Sequence, residues 1–261
     1  MLLTGKVVII SGIGPGLGVK LALESAREGA EGVVVAARTP SKLNDAEERI
    51  FAISKTCKVL KVAVDITDPA ECECLVKEAI GAFGRIDVLI NSAFCYGSEE
   101  SLETVSMESC KEVFDTNVFG SLQLTQQVIP EMRRLGGGSI LFINTQAIRR
   151  PSRSGIYAAS KGALRVLAMY LAKELGQFGI RVNTLLPGLM WGRPVEEFVM
   201  RDAGDKGISE GQIIKKLSEN MALRRIVSDD EVARAAMLLV SDYASAVTGA
   251  LLDANGGEFL P

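Results

Sequence analysis

Apolar residues in this chain fall in short unbroken runs instead of alternating with polar ones. They are KVVIIS (6–11), GVVVAA (32–37), KVLKVAV (58–64), IDVLI (86–90), SILFIN (139–144) and IRVNTLL (180–186). A continuous β-branched run marks a strand buried on both faces, as in a parallel sheet covered by helices. Between the runs, apolar positions take helical spacing over 17–29, 41–54, 69–83, 107–134 and 156–177. In TDPAE, Asp68 is placed as an N-cap, with Pro69 at N1 and Glu71 at N3. The alternation predicts a doubly wound α/β sheet with right-handed crossovers.

The rhythm breaks after Pro187. PGLMWGRP (187–194) is followed by two charged, weakly amphipathic pieces before DDEVARAAMLLVSD resumes a regular helix. An insertion of this length between core elements reads as a lid or specificity segment, assigned to 188–221. No repeat or linker interrupts the chain, so 1–261 is taken as one domain. Its 261 residues are 48% hydrophobic and 23% charged, which suits a single core.

A net charge of −3 with scattered Lys and Arg leaves no footprint for nucleic acid or an anionic membrane. Five cysteines without a CxxC pair, and no histidine, argue against a metal site and for reduced thiols. The opening MLLTGKVVIISG fits neither a secretory leader nor a spanning helix. The expectation is a cytoplasmic protein.

SGIGPGLG (11–18) follows the first run and opens the first helix. It fits GxxxGxG through Gly12, Gly16 and Gly18, not GxGxxG. Glycines there let backbone N–H groups approach a pyrophosphate at a helix N-terminus; the plain alternative is a tight turn that needs positive φ. At the end of the second run, Ala37 stands where an acidic residue would bind the ribose 2′-hydroxyl of NAD. The adjacent Arg38 suits a 2′-phosphate, so NADP is favoured over NAD. Asp65 closes the third run, either capping the strand or accepting from an adenine amino group.

Without histidine, another group must move protons. Tyr157 and Lys161 stand at i and i+4 on a predicted helix and share a face. A phenol titrates near about 10, and bringing it to neutrality takes roughly 4 kcal/mol of differential interaction. An ammonium, a nicotinamide cation and a hydrogen-bonding hydroxyl together can supply it.

YxxxK alone is a weak signal. Here it occurs in order with SGIGPGLG, DITD (65–68), INSA (90–93), TNVFG (116–120), YAASKGAL (157–164), RVNTLLPG (181–188) and TGALLDANGG (248–257). That set resembles the short-chain dehydrogenase/reductase family, in its compact single-domain branch, over nearly the whole chain.

The resemblance implies a Rossmann-like domain with a seven-stranded parallel sheet. It also implies a nicotinamide cofactor and hydride exchange between an alcohol and a ketone or aldehyde. Tyr157 would be the acid/base, Lys161 the residue that holds the ribose and lowers the phenol's pKa, and Asn117 the residue that positions a relay water. Cofactor contacts would come from Gly12, Gly14, Gly16, Leu17, Gly18, Arg38, Asp65, Ile66, Asn91, Ser92, Ala93, Tyr157, Lys161, Pro187 and Gly188. Ser92 and Phe94 depart from the family's usual Asn-Asn-Ala-Gly at 91–94.

The family's catalytic serine is missing. Thirteen residues before Tyr157 stands Asn144, whereas matching ILFINT to the family's strand end selects Thr145. Thr145 is preferred because a hydroxyl both donates and accepts; Asn144 is the alternative, and Ser154 the least suited. Thr145, Ala147 and Trp191 are the expected substrate contacts. IRRPSR (148–153) is either a solvated loop or an attractor of acidic substrates.

The helix GALRVLAMYLAKELG is apolar around much of its circumference, which with the resemblance suggests a homodimer or homotetramer. The leading function is oxidoreduction of a small, moderately apolar alcohol or carbonyl compound. A non-catalytic dinucleotide sensor or scaffold, or an epimerase or dehydratase using the same Tyr and Lys, are the competing readings.

Overall fold

Six strands follow the six apolar runs: β1 (Val7–Ser11), β2 (Gly32–Ala37), β3 (Lys58–Ala63), β4 (Val88–Asn91), β5 (Gly138–Ile143) and β6 (Ile180–Pro187). Two short strands, β7 (Met190–Trp191) and β8 (Val227–Ser228), pair only with each other, and β9 (Leu251–Ala254) completes the main sheet. The computed structural model describes residues 1–151 and 154–260. The main sheet has seven strands in the order β3-β2-β1-β4-β5-β6-β9, and every neighbouring pair is parallel.

Nine α-helices are found among the described residues: α1 (Leu17–Arg27), α2 (Pro40–Ile53), α3 (Pro69–Phe83), α4 (Met107–Phe114), α5 (Ser121–Arg134), α6 (Gly155–Leu175), α7 (Arg193–Lys206), α8 (Glu210–Ser218) and α9 (Asp229–Val240). Helices α1, α2 and α9 cover one face of the sheet, where Val8, Ile10, Val33 and Val35 point. Helices α3, α5 and α6 cover the other, over Val7, Ile9, Val34 and Ala36. Successive strand residues thus enter opposite cores, which is why the runs are continuous. Strand β3 departs from this expectation. It is an edge strand with only Val62 fully buried, and its lysines guard the open side.

Strand β1 lies between β2 and β4, so successive crossovers diverge in opposite directions from it. A crevice opens above the carboxyl ends of β1 and β4, where doubly wound sheets bind ligands.

Three local features differ from the expected pattern. The stretch 107–134 is not one regular helix, because Asp115–Gly120 winds as a π-helix between α4 and α5. Gly120 is required within it, since a Cβ there would lie 2.9 Å from both the Ile66 carbonyl oxygen and its side chain. At α3, Asp68 caps Ala70 and Glu71 as expected, but the Glu71 carboxylate reaches back to the Asp65 amide instead of closing a capping box. Residues 188–221 fold chiefly as α7 and α8 around a small core of Val199, Ala203 and Ile213.

Candidate active site

A cleft of about 680 Å³ runs over the carboxyl edge of the sheet from the glycine turn to Tyr157. At its nucleotide end, the glycines divide into two kinds. Gly12 has φ +88°, and a Cβ on it would lie 2.3 Å from the Ala93 amide nitrogen. At Gly18 a Cβ would lie 2.2 Å from the Gly12 carbonyl oxygen. These two are demanded by the protein's own packing of turn, helix and strand.

Gly14 and Gly16 face open space instead. The N-terminus of α1 behind them has no side-chain cap and no acidic residue in its first turn. Open backbone over uncapped N–H donors is what a pyrophosphate requires, so these residues fit a dinucleotide. Leu17, Ile66, Ser92, Ala93, Pro187 and Gly188 also line the cleft, as expected. Asn91 lies beneath it, donating to Thr125 Oγ1 at 3.0 Å while its own Oδ1 is buried without a partner.

Arg38 is 75% exposed at the cleft mouth and lies 3.6 Å from Asp65. Burial pushes the Asp65 carboxyl up, but Thr67 and the Arg38 guanidinium outweigh it and hold the group below its ordinary value. The two residues singled out for opposite ends of the adenosine thus form one exposed ion pair. Lys42 joins Arg38 in the lining, a cation that sequence reasoning missed and that the RTPSK spacing contains.

At the other end, the Thr145 hydroxyl lies close enough to the Tyr157 phenol to pull its pKa down, and it accepts from the Ala147 amide at 3.2 Å. Asn144 is buried with its amide committed: Oδ1 accepts from the Thr145 amide at 2.8 Å, and Nδ2 donates to the Lys161 carbonyl at 2.9 Å. Its role is to tie the end of β5 to α6. Ser154 caps α6, accepting from the Tyr157 amide and donating to the Tyr96 carbonyl.

Lys161 is only 2% exposed and donates from Nζ to the Ile143 carbonyl at 2.9 Å. Its Nζ stands 5.9 Å from the centroid of the Tyr157 ring. Burial depresses its pKa to about 8.

The phenol is shifted the opposite way from the expectation. Burial, seconded by the neighbouring Tyr96, pushes Tyr157 up to about 12, and only Thr145 pulls it down. The protein's own groups do not make an acidic phenol, because desolvation outweighs a lysine whose ammonium is turned to a backbone carbonyl.

Asn117 is fully buried in the π-helix. It binds the Cys95 amide at 2.7 Å, the Cys95 carbonyl at 2.8 Å and Ser160 Oγ at 2.9 Å. Its side chain therefore clamps the segment after β4. Neither Trp191 nor Ala147 belongs to the cleft lining. Trp191 packs against the small lid core, and Ala147 sits in the 3-10 turn behind Thr145.

Instead, Phe94 and Tyr96 face Tyr157, with ring centroids 6.3 and 5.0 Å away. Asp229, at the start of α9, also reaches the lining and stands 3.7 Å from Lys20. The departure of Phe94 from the family's glycine was the available signal for the aromatic wall.

Of the loop IRRPSR, Ser152 and Arg153 lie outside the described residues. Arg149 is paired with Asp253 at 2.8 Å and Arg150 with Glu258. Glu258 also accepts from the Leu189 amide at 3.1 Å, so the C-terminal segment fastens the loop after β5 to the start of the lid. Among the described residues no cluster of His, Cys, Asp or Glu could hold a metal ion, and no helix is long and apolar enough to cross a membrane.

A glycine cradle leading to an adjacent tyrosine and threonine with a buried lysine beside them defines a dinucleotide-dependent oxidoreductase. Comparison with known proteins agrees. A family model described as enoyl-(acyl carrier protein) reductase matches residues 12–258. The chain is 32% identical over 258 residues to 7alpha-hydroxysteroid dehydrogenase of Escherichia coli, covering 98% of this chain and 94% of that one.

An uncharacterized oxidoreductase of Methylorubrum extorquens is 33% identical, with 98% of both chains covered. L-sorbose reductase of Gluconobacter frateurii, solved with NADPH and L-sorbose, superposes with a TM-score of 0.91 at 28% identity over 99% of this chain and 98% of that one. A 7alpha-hydroxysteroid dehydrogenase complex with NADH and 7-oxo glycochenodeoxycholic acid gives 0.83 at 32% identity, over 98% and 94%. The chain belongs to the short-chain dehydrogenase/reductase family and is an NAD(P)-dependent oxidoreductase of CH–OH groups.

Proposed function

We propose that this protein interconverts a secondary alcohol and a ketone, or an aldehyde and its alcohol, on a moderately apolar small molecule, with Tyr157 as acid/base and NADP preferred over NAD. The observation that carries the reading is the convergence of Tyr157, Thr145 and Lys161 in the lining of the glycine-lined cleft. The bound nicotinamide supplies or accepts the hydride.

In the reducing direction, Thr145 donates to the substrate carbonyl oxygen and holds it against the phenol. Tyr157 gives its proton to that oxygen as negative charge develops there, and the proton is replaced through Lys161. The high intrinsic pKa keeps the phenol protonated and ready to donate. Oxidation needs the phenolate, so a cation brought close to Tyr157 must lower that pKa. Gly14 and Gly16, open above backbone N–H donors, would hold a pyrophosphate, and Arg38 with Lys42 would pair with a 2′-phosphate.

The chain acts as one domain, 1–261, with 188–221 as the substrate lid. Val166, Met169 and Tyr170 leave an exposed apolar strip on α6, which supports a homodimer or homotetramer. All five cysteines are free, consistent with a cytoplasmic enzyme.

The test is NADPH oxidation with a panel of ketones. Tyr157→Phe should reduce turnover by about a thousandfold or more while leaving the NADPH dissociation constant within about twofold. Retained turnover in that variant refutes the assignment.

A further inference from the structure

The chemical class of the substrate can be narrowed from the wall that faces Tyr157. Phe94 is 60% exposed and Tyr96 36%, yet both sit on a rigidly held backbone. The intervening Cys95 is bound at both its amide and its carbonyl by Asn117. The Tyr96 carbonyl accepts from Ser154, and at Gly97 (φ +69°) a Cβ would lie 2.5 Å from a Val113 methyl carbon. An exposed phenylalanine on a loose loop is ordinary. Two rings fixed beside a catalytic phenol form a preorganised surface.

The remaining lining on this side, Leu189, Met190, Pro194 and Val195, is apolar. Most charges in and around the cleft are engaged elsewhere, and Lys42 stands with Arg38 at the nucleotide end. Arg38 and Asp65 pair at the nucleotide end, Asp229 faces Lys20, and Lys161 is bound to a backbone carbonyl. The arginines after β5 are held by Asp253 and Glu258. A substrate carboxylate or phosphate would find no free cation among the described residues here, and the hydroxyls of a polyol would lie unpaired against Leu189 and Met190.

Resting on the function proposed above, we propose that the substrate is a neutral ketone or secondary alcohol carried on a flat apolar ring. Phe94 and Tyr96 are the specificity-determining residues that hold the ring and direct its oxygen to Tyr157 and Thr145.

The experiment uses the NADPH-loaded protein with two probes, the bicyclic aryl ketone α-tetralone and the small polar ketone hydroxyacetone. Steady-state kinetics and calorimetric binding are measured for the wild type, Phe94→Ala, Tyr96→Ala and Tyr96→Phe. The wild type should favour α-tetralone by about a hundredfold in kcat/KM. Each alanine variant should raise its KM by about tenfold, leaving the hydroxyacetone KM and NADPH affinity within about twofold. Tyr96→Phe, which keeps the ring, should hold the α-tetralone KM within about twofold of the wild type.

Preference for hydroxyacetone, or equal losses on both probes, overturns the inference while leaving the oxidoreductase reading intact. If no ketone is turned over but α-tetralone binds, and Phe94→Ala weakens that binding about tenfold, the ring assignment stands and the catalytic reading falls. Absence of α-tetralone binding by calorimetry also overturns the inference.

Discussion

The two ends of the cleft are built by opposite means. At the nucleotide end the surface is backbone: Gly12 and Gly18 permit the turn to close on Ala93 and on itself, and Gly14 and Gly16 leave it bare. At the substrate end the surface is side chain, with Phe94, Tyr96 and the apolar start of the lid around Tyr157. A backbone site tolerates almost no change, because the constraint is steric. A side-chain site is free to vary once its supporting backbone is clamped, here by Asn117, Ser154 and the Glu258 tie to Leu189. One end therefore recognises a constant ligand, and the other can be re-specified on the same scaffold.

Substitutions at the two ends should differ accordingly. The largest effect is expected at Gly12: alanine there combines a positive φ with a 2.3 Å approach to Ala93 and should cost about 3 kcal/mol or more, read as a loss of Tm or of soluble protein. Gly16→Ala has open space, so Tm should hold while NADPH binding weakens by about tenfold.

Next comes Lys161→Met, which should stabilise the fold while abolishing turnover. Burial lowers the lysine from its ordinary 10.5 to about 8, equivalent to roughly 3 kcal/mol against the folded state. Below pH 8 both states carry the proton and the penalty is whole. Between 8 and 10.5 the unfolded chain binds more protons, so wild-type stability rises with pH and the mutant's advantage fades. Unfolding midpoints at pH 7 and pH 10 check the sign. The lost bond to the Ile143 carbonyl offsets part of the gain.

Arg38→Ala should raise the KM for NADPH by about tenfold and that for NADH by less than about twofold. The smallest effect is expected in the lid. Val199→Ala hollows the small core under α7 and α8 and should loosen it by about 1 kcal/mol. It should raise substrate KM about threefold with cofactor affinity unchanged, measured by parallel kinetics and cofactor titration.

Much of the fold was legible because burial on both faces writes itself as continuous β-branched runs, and six such runs lie on strands β1 to β6. Strand β3 read like the others because Lys58 and Lys61 interrupt its run only lightly, and no local feature distinguishes an edge strand from an inner one. The π-turn at Asp115–Gly120 was invisible because helical periodicity barely registers one extra residue.

At the site, glycine spacing and the Tyr–Lys interval were readable, since sterics and helix geometry act locally. The separation of Thr145 from Asn144 depended on the chain's tertiary path, which commits the Asn144 amide at both ends and leaves the Thr145 hydroxyl beside Tyr157. Trp191 was expected in the cleft because it follows the Pro187–Gly188 turn, and it packs instead against the small core of Val199, Ala203 and Ile213. The upward shift of Tyr157 was missed because sequence shows the neighbouring amine but not the burial that opposes it.

The account turns on a phenol that the fold makes weakly acidic and that the bound cofactor must bring down. Ultraviolet difference titration of the wild type minus Tyr157→Phe, with and without saturating NADP⁺, reads that phenol directly. The expected result is ionisation at about 12 for the protein alone, falling by several pH units when NADP⁺ is bound. A difference curve that does not move on NADP⁺ binding would contradict it.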